Sequence, residues 1–265
     1  MKMVANLKTA KLLWSITEFL ALVVSIGGLL IKGIYENLFQ ADYLPGAVAQ
    51  DLITVVLSLF LLVLIYFTKQ NDVKKQVIIV GVIGSQWYLY GILTIERVYN
   101  AFYLFYLAIF ALAFWSLLYS LSGYRSEKFQ NLRIRNGLLK TTAISSIIIA
   151  VLFNILWIMS LIPLMQNHNR IEYLYSIYIL DLGFVMPAFF VTAIMSLRKV
   201  PFGILMTPAM MIVGFFVIFP LGLNELAKPA FGMTVNYGSM LVSFIFSIYM
   251  LTLAYLQLRY VNLER

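Results

Sequence analysis

The sequence predicts an all-α fold: a polytopic membrane helix bundle with eight transmembrane helices and N and C termini cytoplasmic. Three observations predict it. Of the 265 residues, 62% are hydrophobic and only 11% are charged, less than half of the roughly 25% that a water-facing domain carries. Runs with few or no charges, near the ~20 residues needed to cross the hydrocarbon core, recur along the whole chain. The cations between those runs collect on alternate loops, as expected when Lys and Arg are retained on the cytoplasmic side. The chain therefore reads as a single transmembrane domain, 1-265, with no stretch left for a separate soluble domain.

The spans fall near 12-34, 51-68, 76-95, 100-123, 141-164, 173-197, 202-223 and 236-258. The first is apolar apart from Glu18 and Lys32 and has no small-residue cleavage site, so a retained helix is expected rather than a signal peptide. Asp51 opens the second, where an acid is favourable at a helix N terminus. An aromatic third span leads through Glu96 and Arg97 to Asn100 and a fourth rich in Phe and Leu. The fifth carries no charge, the sixth holds Asp181 and Pro187, and the seventh sets Met206, Met210 and Met211 around Pro208 as packing. In the eighth, Asn236, Ser239, Ser243 and Ser247 recur at helical spacing, a seam suited to close helix packing.

With the N terminus inside, all but four of the 19 Lys and Arg fall on the cytoplasmic side; the exceptions are Lys32, Arg97, Arg170 and Lys228. The net charge of +8 is then a topology signal, and no nucleic-acid partner is expected. The expected partners are the lipid bilayer and, at the basic loops, anionic headgroups, in a bacterial cytoplasmic membrane. The longest basic loop, Tyr124 to Lys140, divides the chain into two pseudo-halves, 1-124 and 140-265. Their outer turns GILTIERVYNAF and GLNELAKPAF echo one another, a short and gapped match.

Without cysteine, and with His168 as the single histidine, the chain has no disulfide framework, thiol nucleophile, iron-sulfur cluster, thiolate zinc site or bis-histidine haem. No phosphate loop, dinucleotide fingerprint or serine elbow is present either. No cofactor and no metal site are expected, and an enzyme is the less favoured class.

The informative residues are the charges inside spans, because an ionisable group at membrane depth is costly and marks function by default. Glu18 lies about two turns into the first expected span, with Ala21, Ser25 and Gly28 on the same face. It is expected to be neutral or fully hydrogen-bonded, in an interface or in a site. Asp181 has Tyr178 and Tyr175 at steps of three before it, Tyr178 being the expected direct partner, and Pro187 beyond it to open the helix. These residues predict an outward-opening polar cavity that Asp51 and Asn100 help to close. A third polar group, Gln86 with Tyr90 and Asn100 with Tyr103 and Tyr106, sits among aromatics of the kind that form interfacial belts, though belts do not call for amides.

The segments AQDLITVVLSLFLLVLI, WYLYGILTIERVYNAFYLFYLAIFALAFWSL and LDLGFVMPAFFVTAIMSLRKVPFGILM resemble a group of bacterial multi-pass integral membrane proteins of unknown function. The resemblance covers about half the chain and brings no chemistry with it. It matches Gln50, Asp51, Tyr88, Tyr90, Asn100, Asp181, Gly183, Pro187, Pro201 and Gly203, and so draws attention to Asp51, Asn100 and Asp181 together.

The sequence thus points to a transporter-like protein that handles an ion or small polar solute at a site around Asp181, with Asp51, Asn100, Tyr90, Tyr178, Tyr175 and Glu18 as ligand-binding candidates. Two alternatives stay open. One is a membrane-embedded enzyme on a lipid-linked substrate, using Asp51 and Asp181 as acid and base. The other is a membrane sensor or assembly partner that uses the outer aromatics.

Overall fold

The computed structural model describes residues 3–129, 132–172 and 174–263; Lys2 and Arg265, counted above with the basic loops, lie outside them. Among the described residues, eight helices are long and apolar enough to cross a membrane. They are α1 (Leu7–Leu30), α2 (Leu44–Phe67), α3 (Val73–Ile95), α4 (Tyr103–Ser122) and α5 (Asn136–Gln166), then a broken sixth span, α8 (Pro201–Ala227) and α9 (Tyr237–Tyr260). The sixth span consists of α6 (Tyr175–Leu180), a π-helical turn (Asp181–Val185) and α7 (Met186–Leu197).

Helix boundaries follow caps more than charges. The Asn6 side chain accepts from the amides of Lys8 and Thr9, so α1 begins about a turn before the uncharged run. Its early lysines stay compatible with a span because Lys11 turns its ammonium to the Tyr66 carbonyl at the helix end, 2.9 Å away. Asn236 caps α9 in the same way through the Ser239 amide. Pro45 and Pro201 occupy the first turns of α2 and α8, where a missing amide hydrogen loses nothing.

At the centre of the bundle, α3 and α8 pack against each other and are the most enclosed of the spans. Around them, α4 covers α3, α9 and α7 cover α8, α1 packs on α2 and α4, and α5 lies mainly on α7. The central contact depends on small residues: a Cβ at Gly81 would meet the Ala209 carbonyl oxygen at 2.9 Å. The outer faces are apolar, as on α5, where Ile148, Leu152, Ile155 and Met159 are all about half exposed or more.

Both termini lie at one end of the bundle. There Gln70, between α2 and α3, donates to the Val4 carbonyl, and Lys74 donates to the Arg259 carbonyl. A short antiparallel pairing of β1 (Leu132–Arg133) with β2 (Asn262–Leu263) ties the central basic loop to the C-terminal segment. At the far end, Glu96 after α3 accepts the Ser176 amide of α6 at 2.8 Å, and Arg97 lies over the Tyr175 ring.

Gly81→Val is expected to force α3 from α8 and lower stability by about 1–3 kcal/mol, the usual range for overpacking. Gly137→Ala, where a Cβ meets nothing within 4 Å, is the control and should be neutral. Thermal melting of the purified protein in detergent checks both, and equal melting of the two variants would show that the contact is not close.

Candidate intramembrane polar site

Glu18 is the twelfth residue of the 24-residue α1, which places it at mid-helix, deeper than the uncharged-run count suggested. It is fully buried. Helix periodicity turns Glu18, Ala21, Ser25 and Gly28 to one buried face, and the antiparallel α2 answers with Ser58, Thr54 and Asp51, also buried. From α3 come Gln86 and Tyr90, four residues apart on a third buried face.

These faces make a column of polar groups in the middle of an apolar bundle. Ser58 Oγ donates to Glu18 Oε2 at 2.7 Å, and Gln86 Nε2 donates to the same oxygen at 3.1 Å and to Ser58 Oγ at 3.3 Å. One turn nearer the far end, Tyr90 Oη donates to the Ala21 carbonyl and lies 3.1 Å from Ser25 Oγ. Ser25 also lies beside Asp51, whose Oδ2 accepts from Tyr35 Oη at 2.7 Å. Gly28 makes room for that carboxylate, since a Cβ there would lie 2.0 Å from Asp51 Oδ2. Tyr35 also lies beside Tyr106, whose Oη accepts from Asn100 Nδ2 at 2.9 Å. Asn100 also donates to the Ile34 carbonyl and accepts from the Phe102 amide, which fixes its side chain at the far-end limit of the column.

Asp181 belongs to a different group. Its Oδ2 accepts from Trp157 Nε1 of α5 at 2.7 Å, and the Tyr88 side chain of α3 lies beside it. It is 2% exposed. Tyr88 and Tyr90 are two residues apart, about 200° around α3, so Asp181 and Asp51 face opposite sides of that helix. No hydrogen bond among the described residues joins Asp181 to Asp51 or Asn100. Tyr178 packs its ring T-shaped against Trp157, 5.4 Å between centroids, and Tyr175 donates to the Ile95 carbonyl; no hydrogen bond among the described residues joins either tyrosine to the acid. The helix does break where Pro187 suggested, as the π-helical turn that begins at Asp181 itself, with the Met186 amide reaching back to the Asp181 carbonyl.

The structure therefore brings Glu18, Asp51, Tyr90 and Asn100 into one network and holds Asp181, Tyr175 and Tyr178 apart from it. No ion pair among the described residues joins Glu18, Asp51 or Asp181 to a lysine or arginine; the salt bridges Lys75–Asp72 and Lys228–Glu225 lie at helix ends. No group of three or more His, Cys, Asp or Glu suited to a metal ion occurs among the described residues. The hydroxyls Ser58 and Thr54 were legible as the seven- and three-residue steps from Asp51 along α2. Tyr35 and Trp157 carried no such signal, because a loop and a helix distant in sequence deliver them.

Chemically, the column offers two carboxylates, two amides and six hydroxyls that can both donate and accept, an arrangement that can bind and pass on a small positive species. The resemblance noted above rests on its quoted segments alone: no family model matches the chain, and neither a curated protein nor a solved structure matches it.

Proposed function

We propose that this is a multi-pass cell-membrane protein that handles a small cation or proton through the polar column of α1 to α4, with both termini cytoplasmic and the far end outside. One observation carries the reading: Glu18 and Asp51 are buried within the span region, joined by hydroxyls, and neither has a cationic side chain as partner. An isolated ionised carboxylate in such a place is costly, so its negative charge must be met by a bound cation or a proton. A group meant only for packing would sit more cheaply as an amide or an alcohol. Asp181, on the other face of α3, supports a related role in the second half. Asp51 and Asp181 each precede a leucine about two turns into the second span of their half, and the third spans, α3 and α8, pack together. That correspondence favours two parallel pseudo-halves.

Reconstituted in liposomes under an imposed proton or alkali-cation gradient, the wild-type chain is expected to dissipate the gradient. Glu18→Gln and Asp51→Asn should reduce the flux to the protein-free level, while Asp181→Asn keeps roughly half or more, being outside the column. Glu18→Gln should still insert and fold, whereas Glu18→Lys should not, because the substitution removes the acid at that level and leaves a buried ammonium unpaired. Wild-type flux in Glu18→Gln would end this reading.

The orientation is checked separately. A cysteine engineered at Gln70 should be protected from an impermeant reagent applied outside whole cells, and one at Asn37 should be labelled. The reverse pattern would invert the topology.

A further inference from the structure

We infer that the species handled is the proton and that it reaches Glu18 from the far end only, through Asp51 and the hydroxyls of Ser25 and Tyr90; this rests on the ion-handling reading above. Each link from Asp51 to Tyr90 is an oxygen that can accept one proton and release another. The remaining step, about one helical turn from Tyr90 to Glu18, is where the column has unpartnered oxygens. Thr54 Oγ1, Glu18 Oε1 and Gln86 Oε1 are all buried without a hydrogen-bond partner. Gln86 is fixed in this orientation because its Nε2 is occupied by Glu18 and Ser58, which leaves its carbonyl oxygen as an acceptor beside the carboxylate. A proton placed on Glu18 Oε1 removes the negative charge from an oxygen that no donor meets.

On the other side of Glu18 the chain of hydroxyls stops. Thr17 Oγ1 lies 3.5 Å from Ser116 Oγ, and Ser120 Oγ, one turn on, accepts from Trp14 Nε1 at 2.9 Å. An indole can donate but cannot accept, so it cannot relay a proton. Beyond Trp14, the side chains of Ala10, Met3 and Val4 are fully buried and apolar. The transfer balances atom by atom. Asp51, protonated from outside, gives its proton to Ser25 Oγ, which releases its own to Tyr90 Oη; Tyr90 then turns its O–H from the Ala21 carbonyl and releases one to Glu18. The hydroxyls end unchanged, Asp51 is again a carboxylate and Glu18 is a carboxylic acid.

The test is an acid jump on the full chain in nanodiscs, following the carbonyl stretch of the protonated carboxyl by time-resolved infrared spectroscopy, with Glu18→Gln to assign the band. Ser25→Ala combined with Tyr90→Phe should slow the appearance of the Glu18 band by about tenfold or more and leave its final amplitude unchanged. Asp51→Asn should slow it equally, and Ser116→Ala with Ser120→Ala should leave the rate as it is. If the double variant does not fold, Tyr90→Phe alone, which keeps the ring against Tyr106, is measured in its place. An unchanged rate in the relay variants overturns the path and leaves the ion-handling reading standing. Loss of the band on adding sodium at constant pH overturns the proton in favour of a metal cation. A Glu18 band absent at every pH sinks both readings together.

Discussion

A carboxyl group at mid-membrane depth has no bulk water to solvate it, and the arrangement of the first four helices answers that constraint. Glu18 occupies the middle of α1, so every compensating group must come from a neighbouring helix at the same level. Ser58 and Gln86 do so from α2 and α3. Because α2 runs antiparallel to α1, the face that brings Ser58 to Glu18 also brings Asp51 to Ser25 and Gly28, two turns nearer the far end. A second buried acid is therefore held on the same pair of helices, and Tyr35 and Tyr106 close around it. The network is satisfied toward the far end and leaves its free oxygens around Glu18, which makes that level the place where a bound species changes the energy most.

The second half solves the same problem by altering the backbone. Asp181 begins a π-helical turn, in which one extra residue per turn shifts the register and presents the carboxylate to Trp157 across from α5. Pro187 follows directly in the first turn of α7, so the missing amide hydrogen falls where the helix is already interrupted. Between the two acidic groups stands α3, which places Tyr88 beside Asp181 and Tyr90 in the Glu18–Asp51 column. Any rotation or shift of α3 against α8 would change both groups at once. That mechanical link comes from sharing one helix, with no contact between the acids required.

Several parts of this organisation were legible in the chain. Eight apolar segments, the polar face Glu18, Ala21, Ser25, Gly28, and the break near Pro187 are consequences of composition and of a 3.6-residue period. Both act over one or two turns and are written out in consecutive residues. The same local reading placed Tyr178 and Tyr175 beside Asp181, and there it met a force it had no access to. The acid is met instead by Trp157 from α5, while Tyr178 packs its ring against that indole and Tyr175 donates to the Ile95 carbonyl.

What the sequence by itself determined is therefore the all-helical class, the eight segments long and apolar enough to cross a membrane and which residues are too polar to be indifferent to burial, because water-to-lipid transfer depends on side-chain chemistry alone. Only the tertiary structure decided which of those residues meet. Tyr35 arrives from a loop, Gln86 and Tyr90 from α3, Asn100 from the turn before α4, and Trp157 from α5. Their pairing is set by which helix faces which around the α3–α8 contact, a choice made by packing among side chains far apart in the chain, and no local period records it.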